Sequence, residues 1–330
     1  MEELTPHLFF KKSNLLSSIA SIFLFGIIIL GTAESFSYSR VSSDLDAYTI
    51  APGDSLNTIF KSMNLHYVEK ILLKIYIKAN KLTLIQAGHY DVDNKSWKEF
   101  IYSFSIGEIK KFEFKIQTGS NLYELRNLIN NSSLKRDCPD FACLNKRFGY
   151  REGTLMPETY FYKFQSSAAS VLKKSQDHFM DMSEGLWISK SKNNPLTSIS
   201  DALILASIVE KEAGNDEEKK IIAGVFLHRL NLKMKLQADP TIIYGLLPTF
   251  NGNITKANIR DKNNPYNTYQ IKRLPPTPIS FISKSSLEAV ILGEPNKYLY
   301  FVAQGDGSHY FSKDYNKHLE AVRRYQLEKQ

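Results

Sequence analysis

The sequence predicts an α+β protein made of a single N-terminal transmembrane helix, a small β-α-α-β module and a larger mixed α/β domain. Three observations predict it. Only residues 15–33 form a window apolar enough to span a bilayer. Residues 48–92 read as strand, helix, helix, strand. The remainder alternates helical apolar stripes with short period-two segments. A length of 330 residues exceeds what one compact core needs, which fits two modules plus an anchor. With 43% hydrophobic residues, 16 Gly, 12 Pro and 2 Cys, the chain is not disordered, collagen-like or disulfide-stapled.

Leu15 to Ala33 carry no charge (LLSSIASIFLFGIIILGTA). As a helix the run is about 28 Å long at about 1.5 Å per residue, close to one hydrocarbon core. Lys11 and Lys12 precede it, while Glu34, Arg40, Asp44 and Asp46 follow. By the positive-inside rule residues 1–14 stay in the cytoplasm and residues 34–330 are exported, with 34–46 a Ser-rich linker. The run also fits a cleaved signal peptide ending at Gly31-Thr32-Ala33, or a buried soluble helix. Cys138 and Cys143 either close a small loop (CPDFAC) or stay free; without a nearby His pair they do not suit zinc. The net charge of +8 on an exported chain favours an anionic wall polymer or phospholipid over nucleic acid, and a merely solvated surface explains it as well.

Tyr48-Thr49-Ile50 is a short strand, and Pro52-Gly53-Asp54-Ser55 a turn that caps a helix from Leu56. A second helix spans Tyr67 to Lys78, with Val68, Ile71, Leu72 and Ile75 at helical spacing. Ala87 to Val92 turns back into a strand. This order, with the Tyr48–Leu56 opening and the Gly88 turn, resembles a LysM module, which implies affinity for N-acetylglucosamine polymers and sets a LysM-like subdomain at 47–108. A packing module without sugar affinity fits the same residues. Further on, Trp97–Ser105 reads as helix, Lys110–Gln117 as a half-buried strand, and residues 121–130, 166–185, 198–213 and 221–232 as helices; 189–195 is a break.

The helix from Ser198 to about Ala213 begins with S-x-x-D and carries the inward stripe Ala202, Leu205, Ala206 and Val209. Glu210 and Glu212 close it, with Lys211 between. Two residues rotate a helix by about 200°, so the two carboxylates flank the stripe on opposite sides and cannot share one site. Geometry leaves open which of them faces a cleft. The stretch Leu236–Thr241 reads as a polar loop, and Tyr298–Ala303 followed by Gly305–Phe311 as a strand turning into another. Pro-stiffened loops rich in Tyr, Asn, Thr and Gln suit a saccharide groove, where rings stack on sugars and amides bond hydroxyls.

Five ordered segments carry a closer resemblance: Ala206 to Glu212 (ASIVEKE), Val225 to Leu230 (VFLHRL), Leu236 to Thr241 (LQADPT), Tyr266 to Tyr269 (YNTY) and Tyr300 to Ala303 (YFVA). Their order and spacing resemble the endolytic murein transglycosylase (YceG-like) family over nearly the whole chain. The resemblance implies a single-pass inner-membrane protein with a periplasmic YceG-like catalytic domain over 109–330. Its activity would be internal cleavage of nascent peptidoglycan strands, in company with peptidoglycan synthases (penicillin-binding proteins). It makes Glu212 the catalytic residue and Glu210 a supporting or surface group. Gln237, Asp239, Tyr266, Asn267 and Thr268 are expected to position substrate; structural roles fit Tyr266 and Thr268 equally, and a cap or turn fits Asp239-Pro240 as well. His228, Arg273 and Thr277 depart from the family pattern, which puts a loop or subsite in doubt but not Glu212.

A lytic transglycosylase needs one carboxyl group that acts first as acid and then as base. A hydrolase needs a second carboxylate, for which Asp239 and Glu158 are the nominees. A membrane-anchored glycan-binding scaffold without catalysis is the alternative from another class. No nucleophile-elbow, metalloprotease, Walker or dinucleotide motif occurs, so no cofactor or metal is expected.

Overall fold

A computed structural model describes residues 7–41 and 45–327, with side chains from Leu15 onward. The ends of the expected cytoplasmic segment and linker, residues 1–6 and 42–44 with Asp44, lie outside the described residues. The chain forms two compact units. One runs to Phe112 and takes in Tyr162–Phe164; the other comprises Glu113–Phe161 and everything from Gln165.

The first unit opens with α1 (His7–Ser37), whose Leu15–Ser37 stretch has mean hydropathy 2.3 and is long and apolar enough to cross a membrane. The helix continues four residues beyond the expected span. Glu34 meets Lys98 at 3.2 Å, Phe36 packs on the unit's core, and Ser37 is fully buried, so residues 34–37 are docked helix rather than linker.

Strand β1 (Ala47–Ile50) pairs antiparallel with β2 (Gly88–Asp91), Tyr48 opposite Tyr90. Between them lie α2 (Leu56–Ser62) and α3 (Tyr67–Ala79), the expected β-α-α-β order. Ser55 caps α2 by accepting from the Thr58 amide at 3.2 Å. The inward face of α3 is Leu73, Tyr76 and Ile77, while Val68 and Ile71 are exposed, so the buried stripe is rotated from the expected one. A reciprocal Ser96–Glu99 cap starts α4 (Trp97–Ile106), which delivers Trp97, Phe100 and Phe104 to the core.

A two-stranded sheet joins β3 (Lys111–Lys115) to β4 (Thr159–Lys163). In the second unit Asn121 caps α5 (Leu122–Asn130) through the Tyr123 and Glu124 amides. Cys138 and Cys143 form a disulfide. It closes a tight loop in which Asp140 and Phe141 both adopt left-handed backbone. Long helices follow: α6 (Ala168–Ile188), α7 (Ile199–Glu212) and α8 (Asp216–Asn231). Then come α9 (Asp239–Leu246), α10 (Lys256–Arg260), α11 (Lys284–Ile291), the antiparallel hairpin β5 (Tyr300–Ala303) and β6 (His309–Ser312), and α12 (Tyr315–Val322).

Helix α7 is the centre of this unit. All of Ala202–Val209 are buried, well beyond the expected stripe, because α6, α8, α9 and α11 pack around it. Helix α8 starts five residues earlier than expected, its first turn held by Asn215 accepting from the Glu218 amide at 3.0 Å. The 236–241 stretch is not all loop: Asp239 and Pro240 open α9, where a proline in the first turn gives up no helical hydrogen bond.

Candidate active site

Helix α7 brings the two candidate glutamates to its C-terminal end and sends them to different surroundings. Glu210 is locked in. Its carboxylate accepts from Lys219 Nζ at 3.2 Å, from the Ser283 amide at 2.9 Å and from the Ser283 hydroxyl. Lys219 also bonds Ser285 at 3.0 Å and Asp216 at 2.6 Å, and both the Glu210 and Lys219 side chains are only 7% exposed. The cluster ties α7, α8 and α11 together and leaves no acceptor for a substrate.

Glu212 is the last residue of α7; Ala213 is already extended and Asn215 begins α8. Its side chain opens onto a cleft of about 520 Å³ shared with Arg229, Gln237, Asp239, Tyr269 and the β5–β6 hairpin. Among the described residues no protein group donates a hydrogen bond to its carboxyl. The residue keeps some accessible surface, but loss of water dominates its proton affinity. Burial pushes its pKa up to about 8, the Asp239 charge adds to that, and the Arg229 guanidinium opposes it. Glu212 therefore holds its proton at neutral pH and has both oxygens free.

The cleft walls are built by hydrogen bonds to backbone. Buried Arg229 reaches from α8 to the Leu299 carbonyl at 2.7 Å and the Leu236 carbonyl at 2.6 Å, with its guanidinium over the Tyr300 ring. His309 is gripped twice by Glu218, through its amide and its Nδ1, both at 2.7 Å. Gly214 packs backbone to backbone against Gly307 in the hairpin turn, where a Cβ would collide with the Gly307 carbonyl.

The expected substrate residues divide. Gln237 and Asp239 line the cleft with Glu212. Gln237 has φ +52, a left-handed conformation rare for a side-chain-bearing residue, and its amide is held by the Thr268 carbonyl at 3.2 Å. The Tyr269 hydroxyl donates to Asp239 at 2.7 Å. Asn267 and Thr268 have no exposed surface and so cannot touch substrate directly, a correction to the expectation. Asn267 donates to three carbonyls of the 258–261 segment, and Thr268 accepts from the Ala238 amide at 2.9 Å, so the pair shapes the loop that presents Gln237 and Asp239. Tyr266 faces a different hollow, its hydroxyl bonded to Thr277 at 2.8 Å. Glu158 pairs with His178 away from the cleft.

Sequence reasoning passed over Arg229, Tyr269, Tyr300 and His309, although three of them stand inside the quoted segments and His309 in the quoted hairpin. A larger hollow of about 670 Å³, around Leu196, Asp201 and Lys272–Pro275, holds neither glutamate.

A carboxyl group that holds its proton in a cleft walled by Tyr and His side chains is chemically able to hand that proton to an ether oxygen and take one back. The profile of the YceG-like family matches residues 48–324, and the chain belongs to that family. It is 27% identical to an endolytic murein transglycosylase of Bacillus subtilis (strain 168), the match covering 93% of this chain and 91% of the relative. It is 35% identical to an endolytic murein transglycosylase of Streptococcus pneumoniae (strain ATCC BAA-255 / R6) over 51% of this chain, and that match spans only 31% of the relative. A crystal structure of a YceG-like protein from Listeria monocytogenes superposes with a TM-score of 0.57 at 27% identity, covering 83% of this chain and 97% of that one. The mixed helix and sheet composition expected from sequence agrees with that neighbour.

Proposed function

We propose that the chain is a peptidoglycan lytic transglycosylase in which Glu212 serves as the only acid and base. The observation that carries this reading is the state of Glu212: protonated by burial, free of protein donors, and facing an open cleft. Protonated Glu212 gives its proton to the oxygen of the β-1,4 bond between N-acetylmuramic acid and N-acetylglucosamine. The C1–O bond breaks through an oxocarbenium-like state. The carboxylate then removes the proton of the muramoyl C6 hydroxyl, which attacks C1 and closes a 1,6-anhydro ring. No water is consumed, and Glu212 ends as it began.

Among the described residues, Asp239 is the one other carboxylate lining the cleft. It accepts from Tyr269, and its charge raises the proton affinity of Glu212. In this reading it tunes the acid rather than activating water. Arg229 limits the shift, so that Glu212 can still give its proton up.

The rest of the chain fits the same role. Helix α1 serves as a retained inner-membrane anchor, with the two units in the periplasm. The β-α-α-β module acts as a LysM-like glycan holder. Internal cuts in a strand still attached to its synthase, a penicillin-binding protein, would limit strand growth.

The test is to digest purified glycan strands with the detergent-solubilised chain and weigh the new muramoyl ends by mass spectrometry. Ends one water lighter than hydrolysis products, absent with Glu212→Gln, are expected. Reducing ends would refute the single-acid mechanism, and strand binding without cleavage would refute catalysis.

A further inference from the structure

A second concave site lies on the same unit as the Glu212 cleft. It is a hollow of about 350 Å³ between α5, the disulfide loop and α9. Four tyrosines line it, and three of them, Tyr123, Tyr244 and Tyr266, form a contiguous wall. Tyr123 meets Tyr244 at 6.4 Å between centroids, and Tyr244 meets Tyr266 at 4.8 Å, both edge to face, so ring faces remain available. Two of the rings are fixed at their hydroxyls: Tyr244 donates to Glu152 at 2.8 Å and Tyr266 bonds Thr277 at 2.8 Å. Glu152, only 4% exposed, also accepts from the Leu122 amide at 3.1 Å and the Gly153 amide at 3.2 Å. Such clamping keeps a stacking platform rigid before any ligand arrives, which lowers the ordering cost of binding. Tyr123, 44% exposed, is the ring most open to solvent. Arg126, Lys146 and Arg151 stand around the hollow with two acids, Asp140, which pairs with Arg126 at 2.9 Å, and the buried Glu152.

The same two elements feed both sites. Helix α9 starts with Asp239 in the Glu212 cleft and carries Tyr244 to the hollow, about 7.5 Å further along its axis at about 1.5 Å per residue. The 266–269 turn sends Tyr266 to the hollow and Tyr269 to the cleft.

We infer that this tyrosine hollow is a distal subsite for the glycan strand, stacking a sugar ring on Tyr123 and Tyr244 and, on stretches freed of stem peptides, meeting the muramoyl carboxylate with its basic rim. The inference rests on the reading of the Glu212 cleft as the cutting site. Rings held at two points would fix where along the strand the cut falls.

The experiment is calorimetric titration of the full chain carrying Glu212→Gln, in detergent, with uncross-linked strands freed of stem peptides. In that background Tyr123→Ala is expected to weaken strand binding about tenfold, the worth of one lost ring contact. Tyr123→Phe keeps the ring and is expected to restore binding to within about twofold of the parent. Lys146→Glu is expected to weaken binding of these strands at low salt but not of uncharged chitin oligosaccharides. Unchanged affinity in Tyr123→Ala, a Phe variant as weak as the Ala variant, or equal losses on chitin with Lys146→Glu each overturn the subsite. If the chain with Glu212 intact cuts no strand while Tyr123→Ala still loses affinity, the subsite stands and the cutting reading falls.

Discussion

Glu152 and Glu212 are both removed from water, and both are pushed to hold their protons, Glu152 up to about 7 and Glu212 up to about 8, with burial the first cause in each. Their surroundings differ in one respect that decides their roles. Glu152 receives three donors, two amides and a tyrosine hydroxyl, which pull its affinity for a proton back down and use up its oxygens. Glu212 receives none, and a neighbouring carboxylate pushes it further up. A raised pKa therefore does not by itself single out an acid for catalysis; a raised pKa with free oxygens facing a cleft is what fits Glu212 to the proposed role. Glu210, two residues away on the same helix, completes the contrast as a carboxylate with every acceptor filled.

The largest way to break this comparison is Glu212→Gln. Loss of a general acid is expected to slow strand cleavage by about 10³-fold or more, read as anhydro ends formed per minute. The same change should make the protein less sensitive to alkali. A carboxyl whose folded pKa is raised contributes stability that is fully present below its unfolded value and lost as pH rises through the folded one. Melting temperature should therefore fall as pH is raised through about 8, and fall less steeply in Glu212→Gln. An equal slope in both proteins would remove Glu212 as a buried acid.

Glu210→Ala comes next. It leaves the buried Lys219 charge with the exposed Asp216 as its ionic partner and the Ser283 amide without its acceptor, and is expected to cost about 3 kcal/mol of stability by denaturant titration. Glu152→Leu leaves two amides and the Tyr244 hydroxyl without their acceptor, for about 2 kcal/mol at acid pH and less as pH rises through about 7, while Glu212→Gln is expected to stabilise the protein in alkali. The smallest effect belongs to Asp239→Asn. Removing that charge lets Glu212 ionise more easily, so the alkaline limb of the pH–rate profile should move below about 8, with the maximal rate kept within about tenfold. A limb that stays in place would mean that Asp239 does not act on Glu212.

The sequence carried the helices well, because α7 and α8 are long and begin at Ser198 and Asn215, side chains that cap. It placed Glu210 and Glu212 on opposite flanks of one helix from rotation alone. Helical period could not say which flank meets solvent, since that depends on Lys219 from α8 and Ser283 from α11, distant in sequence. Strand β4 and helices α10, α11 and α12 went unread: they are five to eight residues long and depend on tertiary partners more than on their own pattern. Asn267 and Thr268 misled for a chemical reason. An amide and a hydroxyl that could bond a sugar can equally bond backbone, and here the 258–261 carbonyls and the Ala238 amide take them first.

The bare-backbone meeting of Gly214 and Gly307 has a consequence for how such a cleft can vary. A side chain of any size at position 214 would press on the Gly307 carbonyl and displace the 305–308 turn against the Glu218 bonds to His309 and the α12 packing that hold the hairpin. The gauge of the groove is thus set by a residue that no sugar touches. Widening the groove to admit a bulkier strand would begin there, two positions past the acid, with the chemistry left as it is.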